Sequence, residues 1–534
     1  MLPINEYCRQ LIEQNPNITP AEMLRNLHIA GYDREQSVLT VKYFFEDTPA
    51  DEMCRIIVNE YNAPLIDKAE LRRLLILCKY NEDSVDEAIK KHYPKPLGFV
   101  MMLDDSLSMN SAIAMVKIDA KAFLRCSRTG DQFGLNKFET AAAWLYPADS
   151  SPVVVTEGRA EIGEAENAIE TLSAYGERTN ISGAIQLANQ MIDKSTADLK
   201  AFVLLSDGDH NTGEPKPEAV LRNEPPIYIA GLGYWVRREY FEKMLDKNAK
   251  SRFYNSPTAN DMMTIFNQII SDSTQSVLTM NDLSLYNKGS DYVIKEFNVL
   301  GEGNDTIINA VWSDKKYRYT SGYPASAKIN IVLIDPNGKK TDIKPIVAED
   351  GFCIFRLCNV KPGRWKILSQ YSIDAPIYGT SGAIAFGTGI KTNVLAPAFA
   401  GVNDTFPVEL SLVASSNIQF ENIAVTARVS QPLFSMKEIM SRYGDRLFGN
   451  AAETNSLSQI SELREQILRQ ENRDIFERRY EIQPLAKTPD NRYMCNVKTG
   501  SDDGIYNVSL TITGTDTAAR MPFTCFRTHS MFVG

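Results

Sequence analysis

"FVMMLDDSLSMN", Phe99 to Asn110, runs apolar for five residues and then turns at once to Asp104, Asp105, Ser106 and Ser108. A strand that is hydrophobic at every position, not at alternate ones, is buried on both faces, as a central strand of a parallel sheet is. Its polar end therefore opens at one edge of that sheet. Open α/β sheets bind ligands in the crevice beyond the carboxyl ends of their strands, so chemistry is expected here first.

Outward from that stretch, strands and helices alternate from Leu97 to about Gln275. "LGFVMML" leads into the helical "SAIAMVKIDAKAFLRCSR"; "DQFGLNKFE", "AAAWLYP" and "VVVTEG" read as strands; "EAENAIETLSAY" and "SGAIQLANQMIDK" read as helices. The buried strand "AFVLLSDG" and the strand "IYIAGLG" follow. This grammar predicts a doubly wound, Rossmann-like α/β domain over residues 96–275, with a short antiparallel edge where strands follow each other directly.

Before it, residues 1–95 read as helices that repeat. "EYCRQLIEQ" at Glu6 returns as "EMCRIIVNE" at Glu52, and "AEMLRNLHIAGYDREQSV" at Ala21 returns as "AELRRLLILCKYNEDSV" at Ala69. A tandem pair of three-helix units is expected, with Thr19-Pro20 and Thr48-Pro49 as helix starts. The second half of each unit faintly resembles ubiquitin-associated domains but lacks their usual Met-Gly-Phe/Tyr loop. A plain recruitment or packing bundle is the preferred reading. After residue 276 short strands with turn signals, such as "KINIVLIDPNGKK", predict β-sandwich domains over 276–374 and 375–534. The second carries a helical insert, 435–479, whose Leu457, Ile460, Leu463, Ile467 and Phe476 fall near helical spacing and are expected to pack on the sandwich. The chain is thus multidomain.

Its 534 residues exceed one hydrophobic core, and 43% apolar with 23% charged residues is ordinary for a globular protein. A net charge of −10 argues against nucleic acid and anionic membrane as partners and for protein. The first residues, "MLPINEYCRQLIEQN", have neither the basic start nor the apolar core of a signal peptide, and no run of about 18 apolar residues follows. The eight cysteines are scattered without zinc spacing, so reduced, mostly buried thiols are expected. These features predict a cytoplasmic protein.

A hard cation such as Mg²⁺ takes oxygen ligands, commonly one or two carboxylates with neutral oxygens and water. Asp104, Ser106 and Ser108 supply such oxygens from one loop; Thr179 in "YGERTNIS" and Asp207 in "LLSDGDHN" supply more from two others. Doubly wound topology brings these loops to one sheet edge. The plainer reading is that the same Ser and Asp residues cap helices and turns.

The ordered set Asp104, Ser106, Ser108, Thr179 and Asp207-Gly208 resembles the metal-ion-dependent adhesion site (MIDAS) of von Willebrand factor A (vWA) domains, over residues 97–275. Leu107 stands where that family often has Gly between the serines. The resemblance implies Mg²⁺ or Mn²⁺, touched directly by Ser106, Ser108 and Thr179 or Asp207, with Asp104 acting partly through water. Asp105, Asp209 and His210 read as loop residues beside the set. One coordination position left open would take an Asp or Glu of a partner. The function expected is an intracellular metal-dependent protein-binding scaffold or adaptor. The alternatives are a subunit of a complex acting with a separate AAA+ ATPase, or head-to-tail self-assembly through the same site. No HExxH, no GxxxxGK[ST] and no base beside His210 argue for hydrolysis, so no enzyme activity is expected.

Overall fold

The computed structural model describes residues 2–61, 66, 68–156, 158–207, 210–233, 238–256, 259–300, 305–312, 314–358, 360–388, 390–414, 420–448, 478–517 and 520–534. The chain forms two compact units, one of Met1–Lys95 with Gly301–Asp305 and Leu357–Lys361, the other of Pro96–Leu300, Thr306–Arg356 and Pro362–Gly534.

Among the described residues the first unit holds six helices: α1 (Ile4–Gln14), α2 (Pro20–Ile29), α3 (Arg34–Phe44), α4 (Ala50–Glu60), α5 (Lys68–Leu77) and α6 (Glu82–His92). Thr19 starts α2 with a capping box: its hydroxyl accepts from Glu22 N–H at 3.2 Å, while its own N–H donates to the Glu22 carboxylate at 2.8 Å. The other expected start differs in detail, for α4 begins at Ala50 behind Pro49 with no side-chain cap. Thr48 is instead buried, and its carbonyl accepts from the Tyr80 hydroxyl. Asp33 and Asn81, equivalent positions of the repeat, cap α3 and α6. Leu27 of α2, Val41 of α3, Met53 of α4, Leu75 of α5 and Val85 of α6 share one core, so the two repeats are halves of a single packed body.

In the second unit, β1 (Leu97–Asp104), β2 (Gln132–Phe138), β3 (Ala142–Tyr146), β4 (Val153–Val154), β5 (Leu199–Ser206), β6 (Ile227–Leu232) and β7 (Arg252–Ser256) make one sheet. Its order is β3-β2-β1-β5-β6-β7, with β4 on β2. β1, β2, β5, β6 and β7 run parallel, and the β3 and β4 edges are antiparallel. All eight residues of β1 are buried. Phe99, Met101 and Leu103 face α7 (Ile113–Arg125) and α12 (Met262–Thr274), while Val100 and Met102 face α9 (Ile181–Lys194). Two layers of helix, one on each face, are the reason the strand carries no polar alternation. The helices α8 (Ala160–Glu170), α10 (Pro217–Val220) and α11 (Arg238–Leu245) complete the wrap.

The chain beyond 276 is β-rich. Strands Val277–Tyr286, Asp305–Trp312, Val347–Glu349, Phe352–Leu357 and Ile377–Phe386 form one sheet. Because Ile377–Phe386 pairs with Val277–Tyr286, the break expected at 375 falls inside a sheet and is corrected. Nor does the core stop at 275: Ile307, Val311, Ile354, Ile384 and Phe386 pack in the same cluster as α7 and α12. This second cover explains why ten of the thirteen α12 residues are buried, on every side of the helix. Two further sheets, one containing Thr405–Ala414 and Arg492–Lys498, the other Phe420–Pro432, Gly504–Asp516 and Met521–Val533, share a core of their own. Of the expected helical insert, Met436–Phe448 is a helix, residues 449–477 with the whole apolar stripe lie outside the described residues, and Arg478 already opens a strand. Among the described residues no helix is long and apolar enough to cross a membrane. None of the eight cysteines forms a disulfide, and six of them are buried.

Candidate metal centre

β1 and β5 are adjacent parallel strands whose register sets Leu103 beside Leu205, so Asp104 and Ser206 end side by side. The chain leaves β1 for β2 on one flank, and β5 arrives on the other. The loops after these two strands therefore diverge at the switch point, the place where open α/β sheets bind ligands.

Asp104 is fully buried there, with Oδ1 accepting from Ser106 N–H at 3.0 Å and Oδ2 from the Ser206 hydroxyl at 2.7 Å. Ser106 and Ser108, also fully buried, bring their hydroxyl oxygens within 3.0 Å of each other. Leu107 opens a 3-10 turn, Leu107–Met109, a conformation that any L residue adopts.

Thr179 reaches the same edge from the segment between α8 and α9. Its N–H donates to Asn211 Oδ1 at 2.8 Å and its carbonyl accepts from Asn211 N–H at 3.1 Å, a pair of hydrogen bonds that ties it to the chain just past β5. The Thr179 hydroxyl, in a fully buried residue, has no hydrogen-bond partner among the described residues. Such a group costs about 1–3 kcal/mol when left unsatisfied, so its place calls for an explanation. Asn180 caps α9 by accepting Gly183 N–H at 2.9 Å and fixes the next step of the chain. Asp207, 3% exposed, follows β5 directly; Gly208 and Asp209 lie outside the described residues. His210 is buried close by.

Burial, and then the negative charge of Asp207, push the Asp104 carboxyl well above the usual carboxylate range, while the Ser106 and Ser206 hydrogen bonds pull the other way. Two carboxylates close enough to repel, hydroxyls around them and one orphaned hydroxyl fit a hard divalent cation that would neutralise the first and satisfy the last. Among the described residues no group of three or more His, Cys, Asp or Glu is placed to hold a metal. Two carboxylates, Asp104 and Asp207, and three neutral hydroxyls, those of Ser106, Ser108 and Thr179, would suit Mg²⁺ or Mn²⁺ better than zinc.

Some of the residues that build this edge escape a sequence reading. Asp105, next to a candidate ligand, turns away from it: Oδ1 accepts from Ser173 and Ala174 N–H, both at 2.7 Å, and Oδ2 meets Lys137 Nζ at 2.8 Å. Gly176 pairs with Ser106 and passes so near Glu139 that a Cβ would stand 2.2 Å from the Glu139 Cβ. Asn211 and Ser206 had one legible sign each, polarity just beyond or at the end of an apolar strand.

Residues 99–210 match the family model described as von Willebrand factor type A domain. The chain carries a vWA domain in this stretch. Among curated proteins, inter-alpha-trypsin inhibitor heavy chain H4 of Homo sapiens is 25% identical over 234 residues, 37% of this chain and 24% of that protein. Its Bos taurus counterpart is 24% identical over 193 residues, 31% of this chain and 20% of that protein. The chain therefore spans no more than 24% of the length of these relatives. Among solved structures, a von Willebrand factor type A protein from Catenulispora acidiphila aligns with a TM-score of 0.32 at 12% identity, over 60% of this chain and 63% of that one.

Proposed function

We propose that the protein is a cytoplasmic, metal-dependent protein-binding scaffold whose vWA domain holds Mg²⁺ or Mn²⁺ with Asp104, Ser106, Ser108, Thr179 and Asp207 and captures an Asp or Glu of a partner. The vWA domain supports the coarse part of this, since such domains generally mediate protein–protein interaction or adhesion. The buried Thr179 hydroxyl, without a hydrogen-bond partner among the described residues, is the observation that carries the finer part. Ser106, Ser108 and Thr179 would contribute neutral oxygens, Asp207 a charged one, and Asp104 would act partly through water. When bound, the ion supplies an electrophilic position that attracts a carboxylate from outside. The chain's own residues hold that position open: Ser206 and Ser106 N–H orient Asp104, and Asn211 orients Thr179.

Binding is favoured over hydrolysis. Of the four histidines, His28 and His92 lie in the helical unit and His529 in the last strand, leaving His210 as the one imidazole near the site. The cytoplasmic setting is supported by eight thiols in no disulfide, and a protein partner by the net charge of −10.

The test is Mn²⁺ titration followed by electron paramagnetic resonance, then partner capture with Mg²⁺ or with chelator. Asp207→Ala should weaken Mn²⁺ binding by about 100-fold or more, since it removes a charged ligand, and abolish capture without unfolding the domain. Capture that survives both the chelator and the substitution would sink the reading.

A further inference from the structure

We infer that Asp105 is a positioning residue of this metal site: clasped by Lys137, its carboxylate holds the Thr179 segment in register with the Ser106–Ser108 turn. The inference rests on the metal reading above.

Asp104 and Asp105 are neighbours with opposed tasks, because successive side chains at a strand end point to opposite sides. Asp105 is 3% exposed, and both of its oxygens are engaged away from the crevice, by two amide N–H groups and an ammonium. Its backbone is engaged as well: its N–H donates to the Phe138 carbonyl at 2.9 Å and its carbonyl accepts from Gly176 N–H at 3.3 Å. One residue on, Ser106 pairs with Gly176, and Leu107 N–H donates to the Gly176 carbonyl at 2.7 Å. Residues 105–107 and 173–176 are thereby bolted together.

The bolt holds something that would otherwise relax. Ala174 has φ +55°, a left-handed conformation that costs a residue with a Cβ about 1–2 kcal/mol. The amides of Ser173 and Ala174 converge on a single oxygen, an arrangement that a carboxylate accepts far better than a neutral group. Three residues beyond Gly176 stands Thr179, so release of the bolt would move that hydroxyl relative to Ser106 and Ser108. A carboxylate is needed because one charged oxygen takes both amides and the other takes Lys137; an amide would keep one neutral oxygen and set an NH2, itself a donor, against the ammonium. Lys137, 32% exposed, neutralises the charge, so Asp105 acts through geometry and not by adding negative field to the site.

The experiment uses the full chain, Mn²⁺ as probe and electron paramagnetic resonance as readout, with thermal unfolding in chelator recorded for each variant. Asp105→Asn should weaken Mn²⁺ binding about 10-fold, within the 10- to 100-fold range of groups that orient metal ligands, while the metal-free protein stays folded. Lys137→Met, which leaves both amide bonds, should weaken it about threefold. In a double-mutant cycle Asp105→Asn and Ser106→Ala should be less than additive, a coupling that general loosening of the fold would not produce. Wild-type affinity in Asp105→Asn, or full additivity, overturns the inference. Should Asp105→Asn fail to fold, wild-type affinity in Lys137→Met does the same. If wild type binds Mn²⁺ and Asp207→Ala does not, only the role of Asp105 is at stake; if wild type binds none, the metal reading falls and this inference with it.

Discussion

The helical unit and the vWA domain both join residues far apart in the chain, but they do so by different physics. The helical unit repeats a local solution: Asp33 and Asn81 cap equivalent helices, and Leu27 and Leu75 occupy equivalent places in the core. The vWA domain repeats nothing at its site. Asp104 meets Ser206 across 102 residues, and Asp105 meets Ala174 across 69, because strand order alone makes them neighbours. A fold built on repeated turns takes each turn from the local sequence, whereas a site built on converging loops depends on contacts that only strand order makes.

The comparison can be broken first at its helical end. Leu27→Ala and Leu75→Ala each remove a fully buried side chain and should cost about 2–5 kcal/mol. Since all six helices share one core, hydrogen exchange should show protection lost across both repeats in either variant. Loss confined to the mutated half would mean that the repeats are independent domains.

Acid should sharpen the contrast from the other side. His529, in the C-terminal strand Met521–Val533, is buried and donates Nε2–H to the Pro397 carbonyl at 2.8 Å; burial lowers its pKa from 6.5 to about 4. Below pH 6.5 the unfolded chain takes up a proton that the folded chain refuses, so stability is complete above that pH and falls as pH drops toward 4. The loss should reach about 3 kcal/mol, because each tenfold difference in proton affinity between the folded and unfolded chain is worth roughly 1.4 kcal/mol. Denaturant unfolding of wild type and His529→Gln across this window should show the decline in wild type and a flatter profile in the variant. Equal slopes would remove the histidine from the account.

The smallest effect tests the repeat itself. α2 ends with Gly31 at φ +79°, its N–H donating to the His28 carbonyl and Tyr32 N–H to that of Leu27, a Schellman end. α5 ends on the equivalent residue, Lys79 at φ +65°, with the shorter of these two bonds, its N–H donating to the Ile76 carbonyl. A lysine carries a Cβ penalty there that glycine escapes. Lys79→Gly should therefore stabilise the unit by up to about 1 kcal/mol, and Gly31→Lys should destabilise it by a similar amount. A destabilising Lys79→Gly in thermal melts would show that the lysine side chain contributes more than its backbone costs.

What could be read ahead of the fold follows from these distances. The helix start at Thr19, the apolar run Phe99–Leu103 of β1 and the polar residues that follow β1 and β5 are local patterns, and each is where it was expected. The break at 375 was misplaced because turn signals mark where a chain reverses, not which sheet a strand will join; Ile377–Phe386 belongs to the sheet of Val277–Tyr286 by pairing alone.

By itself the sequence determined the elements: runs of apolar residues long enough to bury, hydroxyls and carboxylates at their ends, and turns that separate them, all set by energies within a few residues. Only the tertiary structure decided that Asp104 meets Ser206 while Asp105 takes the amides of Ser173 and Ala174, that Asn211 grips Thr179 from both sides, and that Ile384 and Phe386 pack with α7 and α12. Two adjacent aspartates are chemically alike; what separates them is which backbone amides and which lysine the strand order brings within hydrogen-bond reach. That is a property of sheet packing and has no local signature in the chain.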